Sequence, residues 1–190
     1  MTKKNIMKIT YSALCLALCI VLPYLTGQIP EIGSALSPMH IPVLLCGFLC
    51  GPFYGALVGF IAPILRSFIT GGFPPMYPTA LSMAFELLTY GLLTGVLYNV
   101  LPKKNAYVYV ALVLSMLGGR VVWGVARFVM ASISTQVFTF EMFLAGAFVN
   151  AVPGIILHIV LVPVLVFALK RAGIMPATSD SKPAAESAAE

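Results

Sequence analysis

Charge is what this chain has least of. Lys, Arg, Asp and Glu make up 9% of its 190 residues, against 60% hydrophobic residues and a mean hydropathy of +1.00. A soluble domain carries roughly 25% charged and about 45–50% apolar residues. A soluble fold of this length could not hide so much apolar surface, so lipid is its natural solvent. The short segments of alternating polarity that a closed barrel needs are also lacking. Backbone polar groups in lipid must be satisfied internally, which leaves transmembrane helices.

Signatures of chemistry are missing too. There is no His-Glu-x-x-His, no Gly-x-Ser-x-Gly, no phosphate-binding loop and no acid pair with catalytic spacing. The chain reads as a non-enzyme without a cofactor, and any ATP-driven activity requires another subunit. Cys15, Cys19, Cys46 and Cys50 sit in apolar runs as two i, i+4 pairs, without two-residue metal spacing. They read as small packing residues, with metal or redox chemistry as the alternative. No small-x-small cleavage site follows the apolar stretch over 9–25 behind Lys3, Lys4 and Lys8, so that stretch reads as a retained first helix.

What is present is a series of apolar runs. They predict an all-α membrane protein of six transmembrane helices, near 8–25, 40–50, 53–69, 79–101, 107–131 and 140–169. The second is short and ends at Gly51-Pro52. Loops are expected over 26–39, over the Gly- and Pro-rich 71–78, and over the polar 132–139. Residues 1–172 form one transmembrane domain in this reading. Residues 173–190, rich in Ala, Ser, Pro and Glu, form a disordered cytoplasmic tail.

The few basic residues orient the chain. With the N-terminus inside, inner segments hold Lys3, Lys4, Lys8, Lys103, Lys104, Lys170, Arg171 and Lys182, and outer loops hold no Lys or Arg. Both termini are therefore expected in the cytoplasm, with the protein a multi-pass resident of the cell membrane. The basic residues are topology signals and not a nucleic-acid patch.

An ionisable side chain at mid-helix costs at least about 2.5–3.5 kcal/mol, so it needs a partner or a task. Arg66, Glu86, Arg120 and Arg127 fall within predicted helices, with Asn150 and His158 as further polar insertions. Arg120 and Arg127 share a face of the fifth helix, with Trp123 and Gly124 between them; Tyr90 lies one turn deeper than Glu86. Most of these positions map to the outer half of the membrane, as a pocket for a polar solute would. The structural alternative is that Glu86 pairs with Arg120 or Arg127 and locks helices together. Three arginines against one glutamate leave an excess of positive charge, which suits an anion such as a carboxylate. His40 and Tyr77 are interfacial residues or contacts from loops over the pocket. Substrate binding is assigned to His40, Tyr77, Glu86, Arg120, Trp123, Arg127 and Asn150; no residue is assigned to catalysis or metal.

Ala13-x-x-x-Ala17 in the first helix is a small-x-x-x-small pattern, which lets helices approach closely in lipid. Together with the size, the six-helix layout, and the stretch from Pro38-Met-His-Ile-Pro42 through Gly51-Pro52 to Tyr54-Gly-Ala-Leu-Val-Gly59, it resembles the S component of an energy-coupling factor (ECF) vitamin transporter. The resemblance covers residues 1–172. It implies a vitamin pocket near the outer surface built from the fourth to sixth helices. It also implies docking of Ala13 and Ala17 on a transmembrane T component, two cytoplasmic ATPases, and toppling of the S component to release the vitamin inside. An arginine-rich pocket fits an acid, with pantothenate first; riboflavin or a pyridoxine-type vitamin are the other candidates. The alternative from another class is a self-sufficient secondary carrier or channel for a small anion, for which Glu86 would be the one coupling acid within the helices.

Overall fold

The structure, a computed structural model, describes residues 3–25, 36–102, 104–134 and 137–175. Those residues form helices and no strand. In chain order they are α1 (Lys3–Leu25), α2 (His40–Cys50), α3 (Pro52–Ile69), α4 (Leu81–Val100), α5 (Asn105–Ile133), α6 (Phe140–Leu144) and α7 (Val152–Arg171). A wide turn, Met76–Ala80, leads into α4, and a second, Ala145–Val149, joins α6 to α7. The predicted loop over 26–39 lies outside the described residues up to 35. The predicted tail does so from 176 onward.

Among the described residues, five stretches are long and apolar enough to cross a membrane: Asn5–Tyr24, Pro52–Ile69, Met76–Val100, Asn105–Ile133 and Phe140–Arg171. The expected second span, α2, has 11 residues, ten of them buried. At 1.5 Å per residue it reaches about 16 Å, half of a hydrocarbon core of about 30 Å. It is a buried internal helix held on every side by its neighbours. Gly51 ends it at φ +94°, a conformation that only glycine adopts freely, and Pro52 opens α3 at the position where its missing N–H matters least.

The surface is apolar where a soluble protein's is polar. On α5, Val110, Val113, Leu117, Val121 and Val125 face outward, while Ser115, Gly119, Arg120 and Gly124 face the bundle. With lipid outside there is little hydrophobic drive between helices, so association rests on close packing of small residues. The α3–α4 contact is built that way. A side chain on Gly91 would run into the carbonyl of Gly55, and one on Gly59 into the carbonyl of Leu87. The backbones therefore touch, and Glu86 on α4 faces the interior.

On α1, the faces divide cleanly. Ser12, Cys15 and Cys19 are buried, with the Cys19 thiol donating to the Met39 carbonyl (3.6 Å) and the Cys46 thiol to Ser12 Oγ (3.7 Å). Ala13, Leu14, Ala17 and Leu18 are exposed on the opposite side. At the far end of the chain, Gly173 turns the backbone at φ +72° and Met175 folds back into the core.

Candidate solute-binding cleft

Arg120 sits midway along α5, beside Gly119. A side chain at position 119 would occupy the space of the Tyr90 ring, so the glycine lets α4 bring Tyr90 and Glu86 against α5. Glu86 is 1% exposed and Arg120 8%. Tyr90 Oη donates to Glu86 Oε1 at 2.9 Å, and Arg120 Nη1 reaches the same oxygen at 3.1 Å. The charge-assisted bonds offset the desolvation that this carboxylate suffers on burial. Of the two partners that the sequence left open for Glu86, the structure selects Arg120.

His40, the first residue of α2, is 2% exposed. Its ring lies 5.4 Å from Tyr90, tilted by 59°, and stacks 5.7 Å from His158 at 21°. His158 Nε2 is 3.3 Å from the Ser37 carbonyl. A carbonyl can only accept, so this contact places the proton on Nε2. The same carbonyl accepts from the His40 backbone N–H at 3.0 Å. Ser37 itself has φ +45°, rare for a residue with a side chain. His158 and the start of α2 thus pin the turn that leads down from residue 36.

His40 Nε2 is 3.7 Å from Glu86 Oε1, too long for a hydrogen bond. Neither ring nitrogen of His40 has a hydrogen-bond partner among the described residues, nor has Arg120 Nε or Arg66 Nε. Buried polar atoms are almost always partnered, so four such atoms in one place need a reason. The three residues that carry them, His40, Arg66 and Arg120, line a single cleft with a cavity volume of about 260 Å³. Glu86, Thr79 and Met83 add the α4 side. The turn Ser37–Met39 closes one edge, and Trp123, Gly146, Asn150 and Ala151 form the wall from α5 and the α6–α7 turn.

Five of the seven residues assigned to the site from the sequence therefore meet at this cleft: His40, Glu86, Arg120, Trp123 and Asn150. Tyr77 and Arg127 are not among the residues lining it. Tyr77 donates from Oη to the Met130 carbonyl at 2.6 Å, tying the turn before α4 to the end of α5. Arg127 lies over Phe138 (5.4 Å) and Trp123 (6.0 Å), held by the ring faces. Arg66, not among the seven residues assigned to the site from the sequence, lines the cleft and lies 5.8 Å from the Phe73 ring. Met83 and Gly146 carry no chemical signal and could not be picked from the sequence. Tyr90 and His158 form the layer behind the lining.

The cleft, lined by charged, polar and apolar side chains, lies inside an apolar helical bundle with spans long enough to cross a membrane. The chain matches the family of ECF transporter substrate-specific components over residues 7–166 and belongs to it. No curated protein and no solved structure matches it. It is thus a substrate-specific, multi-pass membrane subunit of an ECF transporter.

Proposed function

We propose that the cleft binds a small anionic vitamin, with pantothenate as the leading candidate, and that the subunit delivers it inward without altering it. The observation that carries this reading is the cleft's surplus of unpartnered donors. Two arginines face it against one glutamate, and that glutamate is already engaged by Arg120 and Tyr90. Arg66 and the remaining N–H groups of Arg120 suit a carboxylate. His40 and Asn150 suit hydroxyl or amide groups. A volume of about 260 Å³ lies just below the usual range of about 300–1,000 Å³ for small-molecule pockets, which favours a compact acid over a large ring system such as riboflavin.

In this reading the cleft opens to the outer face of the cell membrane and both termini are cytoplasmic. The loop over 71–78 beside the cleft has no Lys or Arg, whereas Lys104, Lys170 and Arg171 lie at the other end of the spans. Delivery uses a transmembrane T component and two ATPases, with Ala13 and Ala17 as the docking residues. Their outward-facing position on α1, opposite the buried Ser12, Cys15 and Cys19, supports that role.

The test is mass spectrometry of small molecules released from the gently purified protein, with thermal stabilisation by a vitamin panel. A vitamin at 100 times its dissociation constant stabilises by about 2.7 kcal/mol. One vitamin that co-purifies, stabilises, and loses affinity in R120A and R66A establishes the reading. Uptake by the isolated subunit, driven by an ion gradient in vesicles, overturns it in favour of a secondary carrier.

A further inference from the structure

One wall of the cleft is an interlock of rings and glycines. α5 contributes Trp123 and Gly124 in succession. The segment from α6 into the following turn contributes Phe143 and Gly146, one helical turn apart. Each ring lies on the other element's glycine. A Cβ on Gly146 would lie 2.9 Å from the Trp123 ring, and a Cβ on Gly124 would collide with the Phe143 ring. The two rings also stack on each other, 6.3 Å apart at 28°. Phe138 meets Trp123 edge-on at 5.9 Å, and the Arg127 guanidinium lies 6.0 Å from its ring. Trp123 thus packs against Phe143, Phe138, Arg127 and Gly146, and it also lines the cleft.

We propose that Gly146 sets the width of the cleft, and with it the size of solute the subunit accepts. This rests on the reading of the cleft as the solute site. A separation of 2.9 Å is shorter than real carbon contacts, so any side chain at position 146 displaces the indole. Trp123 and Gly146 both line the cavity, so that displacement alters its wall. Restoring ordinary carbon contact from 2.9 Å takes a shift of about 0.6–1.1 Å, which reshapes one wall of a cavity of about 260 Å³. Glycine at 146 is therefore a specificity-determining residue that makes no contact of its own with a polar group of the solute. Trp123 is the movable face that transmits its effect.

The chain has a single tryptophan, so its fluorescence reports on Trp123 alone. In the purified full chain, G146A is expected to red-shift Trp123 emission and to increase its quenching by acrylamide, because the displaced indole lines the open cleft. G146A is also expected to weaken the vitamin bound by the wild type about tenfold or more, the scale of one misplaced methylene in a fitted pocket. The double variant G146A/W123F should recover most of that loss, because the smaller ring leaves room for the added methyl. Unchanged emission, quenching and affinity in folded G146A overturn the proposal while leaving the vitamin reading intact. A fluorescence shift in a protein whose wild type binds no vitamin of the panel supports the wall and overturns the vitamin reading alone. Should G146A fail to fold, W123F by itself decides. It is expected to shift preference toward the bulkier vitamins, riboflavin over pantothenate, and an unchanged ratio overturns the proposal.

Discussion

Arg120 and Glu86 meet at 3.1 Å in the interior of the bundle, with both side chains buried. The pair serves two ends at once. It fastens α5 to α4, and it leaves Arg120 Nε without a partner at the cleft.

Removing one member of a buried pair strands the other, which costs about 3–5 kcal/mol. E86A is therefore expected to melt well below the wild type in detergent, and to do so even without solute. Replacing both members with apolar residues of similar size, E86L/R120M, should restore most of the melting temperature and abolish solute binding. Equal melting of E86A and wild type would show that the pair holds nothing together.

His40 separates binding from stability. Its ring nitrogens make no hydrogen bond, Nε2 lying 3.7 Å from Glu86 Oε1, so H40F keeps the stacking on Tyr90 and His158 and removes two buried polar atoms without a hydrogen-bond partner. The empty protein should be as stable as the wild type or more so. Loss of one hydrogen bond to the solute should weaken binding by roughly tenfold, about 1.4 kcal/mol. Calorimetric titration together with melting curves reads both, and a large fall in melting temperature would place His40 in the structural layer instead.

The α3–α4 seam tolerates no added atom. G91A drives a methyl group into the Gly55 carbonyl, so the helices must separate. Overpacking of this sort destabilises by about 1–3 kcal/mol, and backbone on one side gives the upper end of that range. Thermal unfolding should show the loss, and G91A should also displace Glu86 and weaken solute binding. An unchanged melting temperature would mean that the seam opens freely.

Docking on α1 should be separable from both. Ala13 and Ala17 are exposed and touch neither the cleft nor the Ser12–Cys46 contact. A13L/A17L is expected to bind the vitamin with wild-type affinity in detergent. It should fail to co-purify with the T component and the ATPases, and should lose uptake in cells. Uptake at the wild-type rate would move the docking surface elsewhere.

Much of this protein is decided by the order of its residues. Solvent preference is a sum over side chains, so the all-helical membrane class, the placement of most spans and the short second helix could be read from hydropathy and from Gly51-Pro52. The cost of charge in lipid marked Glu86 and Arg120 before any contact was known, because such residues are kept only where something partners or uses them. The cleft's composition was legible to the same extent. His40, Trp123 and Asn150 are polar or amphipathic residues at the depth and faces where helices could converge.

Other features belong to the tertiary structure alone. Which arginine pairs with Glu86 depends on the α4–α5 approach, which Gly119 permits by leaving space for Tyr90. Arg127 carries the same charge and shares the helix face with Arg120, yet it lies over the Trp123 and Phe138 rings. Arg66 turns into the cleft and not away from the bundle. Gly146 and Met83 have no chemistry to announce them. Their role comes from residues far away in sequence, and a periodic pattern along one helix says nothing about what another helix presents to it. Hydropathy and charge are properties of single residues and settle the solvent and the depth; the partner of each buried group is a property of pairs, and only the packed bundle decides it.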